Sequence, residues 1–137
     1  MLAYEISVVS KSASEAQANI RDATIVLDTS AHGRSDAPNA AELLLTAVAT
    51  CMSKGVRRAA EANHFDVGRI EIHVHGVRQD SPSKMLSIEY EIVVETEVSD
   101  PQLDLLHRNV LKYGTVTNTV TPGVALEGSL RRMSADD

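Results

Sequence analysis

The sequence predicts an α+β fold with an antiparallel sheet, and three observations carry that prediction. Two segments alternate apolar and polar residues with a period of two, as strands with one solvent-facing side do. A long central run is apolar or small on nearly every side, which is typical of a buried helix. A second helical segment has a proline near its start and a glycine at its end.

The N-terminal third predicts two strands, over residues 4–9 and 20–27, because β-branched residues there favour an extended chain. Residues 29–39 are a loop by composition. A long helix is predicted from about residue 40 to about residue 63. Asn39 is a candidate N-cap, and Glu42 stands three residues later, where a capping box requires it.

The alternating segments, residues 69–77 and 86–98, predict a hairpin joined by a short polar turn. The second helix is predicted from Asp100 to Tyr113, with Pro101 in its first turn and Gly114 as its stop. A short segment, residues 115–123, then leads to a final strand over residues 124–133. One thin sheet covers only one side of a buried helix, so we expect a second subunit to cover the other side in a symmetric dimer.

The bulk properties limit the function. The length fits a single domain over residues 1–137. A formal net charge of -6 argues against a nucleic acid or an anionic membrane surface as partner. There is no basic, apolar leader and no apolar run long enough to span a bilayer. One cysteine excludes an internal disulfide and suits a reducing compartment, so we expect a cytoplasmic protein.

The single cysteine, Cys51, is the first candidate for chemistry. A free cysteine is often no more than a small buried hydrophobe, and that alternative stays open. A nucleophilic thiol needs a cation, a helix N-terminus or a metal to stabilise its thiolate, and a mid-helix position gives little help from the dipole. Arg21 and Arg34 precede the helix, whereas Arg57 and Arg58 lie two turns along it, where at least one must face elsewhere.

His73 and His75 share one face of a predicted strand, and a metal ion would accept both as ligands. No third ligand is evident, and pairing with the glutamates of the neighbouring strand explains the pattern without a metal. We therefore expect no metal site and no cofactor. The other histidines, His32, His64 and His107, have no motif around them, and no glycine-rich phosphate loop or nucleophile elbow is present.

Two further segments carry a recognisable pattern, since residues 38–51 read PNAAELLLTAVATC and residues 112–120 read KYGTVTNTV. Together they resemble the OsmC/Ohr family of thiol-dependent hydroperoxide reductases. The first is similar to the family's proline, Glu-Leu-Leu and small-residue run that ends in the reactive cysteine, and the second is similar to the family's Cys-Pro-Val-Ser/Thr-x-Thr-Leu segment. The resemblance covers most of the chain, from about residue 20 to about residue 133.

The resemblance implies an OsmC-like fold and an intertwined homodimer, with two sites at the interface and the long helices in the middle. It also implies chemistry in which a first cysteine is oxidised by a hydroperoxide to a sulfenic acid. A second cysteine then condenses with it to a disulfide, which an external dithiol reduces. An arginine and a glutamate hold the first cysteine as the thiolate.

Residue by residue, the reactive cysteine of the family falls on Cys51 and the second cysteine falls on Gly114. The proline after the second cysteine falls on Thr115. The glutamate of the organic-hydroperoxide branch falls on Ala41, whereas Glu42 matches the broader family's Glu-Leu-Leu, where a capping role is expected. The family arginine comes from a loop after the first strand, and Arg21 is the first arginine of this chain.

Two functions follow from the resemblance. One is a one-Cys hydroperoxide reductase of oxidative stress defence, with Cys51 as the peroxidatic thiol and an outside thiol as reductant. A nearby arginine is its thiolate partner, and Arg21 and Glu42 are the candidates for holding or supporting the thiolate. The alternative is a non-catalytic OsmC-like protein that binds a small apolar ligand in the pocket at the dimer interface.

Overall fold

A computed structural model describes all 137 residues and confirms the α+β fold, with two three-stranded sheets and three helices. The elements follow in the order β1 (Ser7–Ser12), β2 (Glu15–Ile20), β3 (Ala23–Asp28), α1 (Ala40–Ala62), β4 (Val67–Asp80), β5 (Ser83–Thr96), α2 (Asp100–Tyr113), α3 (Thr115–Val120) and β6 (Ala125–Arg132). The chain forms two compact units, residues 1–44 and 45–137. The single domain over residues 1–137 stays a prediction.

The first unit contains the antiparallel sheet β1–β2–β3. The single strand predicted over residues 20–27 is wrong, because the chain turns at Arg21, which has a left-handed φ of 53°. Ile20 ends β2 and pairs with Ala23 at the start of β3. Nothing in the sequence indicated this turn, because β-branched residues on both sides favour a continuous strand and arginine seldom occupies a left-handed turn position. The first strand also begins later than predicted, at Ser7.

The loop after β3 is held by the carboxylate of Asp28, which is buried. Its Oδ1 accepts hydrogen bonds from the Ser30 hydroxyl (2.5 Å) and backbone N–H (2.8 Å), and its Oδ2 accepts one from the Arg34 backbone N–H (2.8 Å). These donors favour the ionised form, so the pKa of Asp28 lies below its usual value, with the Ser30 hydroxyl as the largest cause.

The second unit contains the sheet β4–β5–β6, and β6 runs parallel to β5. The prediction of an antiparallel sheet holds for the β4–β5 hairpin and fails for this third strand. Two helices lie between β5 and β6, and such a crossover returns the chain to the same end of the sheet and makes the pair parallel.

The alternation predicted for β5 is confirmed at Ile88, Tyr90, Ile92 and Val94, which are all buried. Leu86 is the exception, because it is 53% exposed. The pairing register of the hairpin shifts at this point, so that Met85 pairs with Arg78 and packs against the core in the place predicted for Leu86.

Helix α1 begins one residue after Asn39 and ends one residue before the predicted boundary. The capping box is confirmed, because the Asn39 side chain accepts from the Glu42 N–H (2.8 Å) and Glu42 Oε1 accepts from the Asn39 N–H (3.0 Å). One side of α1 is buried against the second sheet and α2 through Val48, Met52 and Val56. No helix of the structure is both long enough and apolar enough to cross a membrane.

Helix α2 spans the predicted residues and begins with a second capping box, between Ser99 and Gln102. The segment after it, for which the sequence predicted no regular element, contains the short helix α3, Thr115–Val120. Threonine and valine disfavour a helix weakly. Here Thr117 is fully buried, and Thr119 hydrogen-bonds the carbonyl of Thr115 (2.7 Å), so packing and side-chain bonding outweigh the local preference.

Candidate functional site

Cys51 lies in the middle of α1, half-buried, with a free thiol. Its neighbour Met52 is fully buried in the main core, as is Val48 one turn earlier. The thiol therefore sits where the buried side of the helix meets its exposed side. A mid-helix position places it far from the helix ends, where the partial charges of the dipole reside, so its surroundings must provide any stabilisation of a thiolate.

Gly114 lies directly against this thiol. A Cβ atom built on Gly114 would be 3.0 Å from Cys51 Sγ and 3.1 Å from the carbonyl oxygen of Val110. The backbone of Gly114 is extended, with φ of -75° and ψ of 122°, which any residue adopts. Position 114 therefore favours glycine because the neighbouring atoms leave no room for a side chain, and the backbone conformation does not require it.

Thr117 fills the space that a side chain at position 114 would need. Its Oγ1 is closer to the Gly114 Cβ position than Cys51 Sγ is, well inside the distance that two atoms tolerate. The same hydroxyl donates a hydrogen bond to the Gly114 carbonyl oxygen (3.0 Å), and the side chain is fully buried. The site thus consists of the Cys51 thiol, the backbone of Gly114, which has no side chain, and the hydrogen-bonded hydroxyl of Thr117.

A second glycine, Gly55, allows the two helices to approach each other one turn further along α1. A Cβ atom on Gly55 would lie 3.3 Å from Cγ2 of Val110. Moving from Gly55 to Cys51 along α1 corresponds to moving from Val110 to Gly114 along α2. The two helices therefore run antiparallel at this contact, and the end of α2 is held against the thiol.

The two arginines of α1 point in different directions, as expected for adjacent residues of a helix. Arg57 Nη1 donates to the carbonyl of Val67 (3.3 Å) at the start of β4. The guanidinium of Arg58 lies over the ring of Tyr113, 5.7 Å from its centroid, and the ammonium of Lys112 lies 5.2 Å from the same centroid. Tyr113 immediately precedes Gly114, so this cation pair belongs to the same end of α2 as the thiol contact.

The other predicted site residues, Arg21, Arg34 and Glu42, belong to the first unit. Arg21 is exposed in the β2–β3 turn, where it lines a cleft of about 730 Å³ together with residues 3–7 and the end of β2. That cleft contains no thiol. Glu42 is part of the capping box, and the expected capping role is observed. Arg21 as a thiolate partner stays a prediction.

Arg34 is engaged in a local network. Its guanidinium forms a bidentate pair with Asp36 (2.9 and 3.0 Å) and a further bond to Glu15 (2.9 Å). These two carboxylates raise the pKa of Arg34 above its usual value, Asp36 contributing most, and Arg34 in turn lowers the pKa of Asp36. Within the first unit, this arginine therefore serves to hold the loop.

His73 and His75 are exposed and face Glu91 and Glu89 across the hairpin, which is the cross-strand arrangement that the sequence favoured. No cluster of three or more metal-ligating side chains is present. Sequence analysis missed a different histidine. His107 Nε2 lies 2.6 Å from the hydroxyl of Tyr90 in an edge-on contact between α2 and β5. Burial lowers the pKa of His107 and raises that of Tyr90.

Together, the fold and the site define an α+β protein with a single thiol on a long helix, packed against the end of a second helix. Comparison with known proteins identifies the family. A family profile described as OsmC-like protein matches residues 32–128. The profile covers well over half of the chain, so the chain belongs to the OsmC-like protein family. No curated protein matches the sequence.

Solved structures of the same family share the fold. An OsmC-like protein from Mycoplasma pneumoniae superposes with a TM-score of 0.89 at 17% identity, covering 97% of this chain and 99% of that one. An organic hydroperoxide resistance protein from Elizabethkingia anophelis gives 0.76 at 8% identity, with 96% and 99% coverage. The organic hydroperoxide resistance protein OhrB of Bacillus subtilis gives 0.67 at 14% identity, with 93% and 98% coverage.

Proposed function

We propose that this protein is a one-Cys, thiol-dependent hydroperoxide reductase of oxidative stress defence, with Cys51 as the peroxidatic thiol. Family membership supports a reaction of this type, since several proteins of the same fold are named organic hydroperoxide resistance proteins. The observation that carries the proposal is the 3.0 Å approach of the Gly114 Cβ position to Cys51 Sγ. It puts the position matched to the family's second cysteine beside the thiol matched to its first.

The reaction begins when the thiolate of Cys51 attacks the outer oxygen of a hydroperoxide. The O–O bond breaks, the alkoxide leaves with a proton as an alcohol, and Cys51 becomes a sulfenic acid. Gly114 has no thiol, so no internal disulfide follows. An external thiol instead displaces water to form a mixed disulfide, and a second thiol then releases Cys51 and leaves as the oxidised dimer.

The surroundings of the thiol favour an organic hydroperoxide. Cys51 borders on an apolar core that includes the fully buried Val48, Met52 and Val110. The partly exposed Ala47, one turn earlier on the same face of α1, offers apolar contact to an alkyl or aryl group. The reaction as written needs no metal or cofactor. A free thiol of this kind is maintained in a reducing compartment, which supports a cytoplasmic location.

We also propose a homodimer. The first half of α1 leaves Leu44 37% exposed, and the N-terminal segment leaves Tyr4 and Ile6 83% and 56% exposed. Surfaces of this kind are commonly covered by a partner. Sedimentation at micromolar concentration tests the proposal, and a purely monomeric profile would count against it.

The test of function is consumption of cumene hydroperoxide and of hydrogen peroxide with a dithiol reductant. Wild type is compared with Cys51→Ser and with Thr50→Ser, which makes an equally small change at the adjacent exposed position. We expect turnover in wild type and in Thr50→Ser and none in Cys51→Ser. Absence of turnover in wild type, with the thiol still reduced after exposure, would instead support the non-catalytic alternative. Apolar ligands should then raise the melting temperature.

A further inference from the structure

The cation pair around Tyr113 stands out in an acidic chain. Arg58 and Lys112 approach the same exposed ring from two helices, at 5.7 and 5.2 Å from its centroid. The chain has 19 acidic and 13 basic side chains, so carboxylates are in excess. Neither cation has a carboxylate partner, since the seven ion pairs involve only Arg34, Arg69, Arg78, Arg131 and Arg132. Six other basic side chains also form no ion pair, and Arg58 and Lys112 differ from those six in lying over one shared ring.

An unpaired pair of cations attracts anions, and at physiological ionic strength that attraction extends over about 8 Å. Both cations lie over the Tyr113 ring, whose π system attracts each of them and so keeps the two charges near each other. A carboxylate placed near Tyr113 would interact with both. The end of α2 therefore offers a local site for an anionic group on a protein whose net charge is -6.

This site lies a short distance from the thiol. Tyr113 precedes Gly114, whose Cβ position is 3.0 Å from Cys51 Sγ. On α1, Arg58 follows Cys51 by seven residues, which is about two turns and a rise of about 10 Å on the same face of the helix. Helical side chains lean toward the N-terminus, so the guanidinium leans toward the thiol. A small molecule with a carboxylate several bonds from its sulfur spans this separation.

We propose that the external thiol that resolves Cys51 is a small thiol carrying carboxylate groups, recognised by Arg58 and Lys112. The proposal rests on the proposed function and adds the chemical class of the reductant. The sulfenic acid of Cys51 accepts the sulfur of this thiol with loss of water. The resulting mixed disulfide holds its carboxylate at the cation pair. A second anionic thiol attacks the mixed disulfide, restores the Cys51 thiol and carries away the oxidised thiol dimer.

The recognition step is measured separately from peroxide chemistry by disulfide exchange. Reduced protein reacts in stopped flow with 5,5′-dithiobis(2-nitrobenzoate), which carries two carboxylates, and with 2,2′-dithiodipyridine, which is neutral. The ratio of the two rate constants reports electrostatic recognition at Cys51, because the intrinsic reactivity of the thiol affects both reagents. Wild type is compared with Arg58→Gln/Lys112→Gln. The matched control is Arg69→Gln/Lys84→Gln, which removes the same two charges from the exposed β4–β5 hairpin.

We expect Arg58→Gln/Lys112→Gln to lower the ratio by about five- to tenfold, since each exposed charge contributes a factor of a few, while the control leaves the ratio unchanged. Raising the ionic strength from about 0.01 M to about 1 M should remove the same preference in wild type, because the screening length falls from about 30 Å to about 3 Å. A ratio that is insensitive to both changes, or equally sensitive to the control variant, overturns the proposal.

The peroxide step is followed in the same proteins by trapping the sulfenic acid after addition of cumene hydroperoxide. If the sulfenic acid forms, its reduction by glutathione should be several-fold slower in Arg58→Gln/Lys112→Gln, and its reduction by neutral 2-mercaptoethanol should be unchanged. If no sulfenic acid forms while the exchange ratio still depends on Arg58 and Lys112, then the proposed function fails and anion recognition at the thiol stands.

Discussion

Replacing Gly114 by cysteine should create a disulfide with Cys51 under oxidising conditions. In a disulfide, the Cβ of one cysteine lies about 3 Å from the sulfur of the other, given an S–S bond of about 2.04 Å. The Cβ position of Gly114 is 3.0 Å from Cys51 Sγ. This distance therefore already matches that of a disulfide, although the hydroxyl of Thr117 occupies the same space.

The size of the effect follows from the 63 positions that separate residues 51 and 114. Closing a loop of that length lowers the entropy of the unfolded chain by an amount worth about 4 kcal/mol. Displacing the Thr117 hydroxyl from its bond to the Gly114 carbonyl costs about 1 kcal/mol. We therefore expect oxidised Gly114→Cys to gain about 2–3 kcal/mol in unfolding free energy over its reduced form. The gain should be larger in Gly114→Cys/Thr117→Ala, where the obstructing atom is absent.

The assay counts free thiols after denaturation and compares melting temperatures with and without a reductant. Gly114→Ser is the matched control, because it introduces a Cβ and a small polar atom with no capacity for a disulfide. Gly114→Cys/Cys51→Ser controls for bonds between molecules. If both thiols stay free after diamide treatment even in Gly114→Cys/Thr117→Ala, the packing of Gly114 against Cys51 is wrong, and the argument for the site fails with it.

Three further results are expected. Gly55→Ala should be close to neutral in denaturant unfolding, because its gain in helix propensity offsets a tight contact, whereas Gly55→Leu should cost about 2–3 kcal/mol by forcing the helices apart. The unfolding free energy should fall as the pH drops below about 6.5, because the lowered pKa of His107 means that the unfolded chain binds more protons there. His107→Gln should flatten this dependence in pH-resolved melts, and a control such as His32→Gln should not. Asn39→Ala should lower the unfolding free energy by about 1 kcal/mol through loss of the α1 cap, and Glu42→Gln, which keeps an acceptor, should lower it less.

The predictable parts of the fold are those decided by neighbouring residues. The capping box at Asn39, the burial of alternate residues in β5 and the bounds of α2 each depend on a few positions in sequence order. The turn at Arg21 and the helix at Thr115–Val120 depend on packing instead. In both places, local propensity favours an extended chain, and the tertiary structure overrides it.

The candidate site likewise depends on contacts between residues that are distant in sequence. The nearness of Cys51 and Gly114 followed from a family resemblance, since a separation of 63 positions in sequence gives no local signal of contact. The pair of Tyr90 and His107 joins a strand and a helix that sequence analysis predicted separately. The one available clue was that Tyr90 is a polar-tipped residue on the apolar face of β5, where its hydroxyl requires a buried partner.

Thr117 links the loss of the second cysteine to the mechanism. A cysteine at position 114 must displace the threonine hydroxyl, which holds that space and bonds the Gly114 carbonyl, before it can bond to Cys51. A second change, Thr117→Ala, removes this obstacle. The backbone at Gly114 accepts any residue, so packing alone maintains the glycine. In the proposed reaction an external thiol resolves the sulfenic acid, and we place the carboxylates of that thiol at the cations of Arg58 and Lys112.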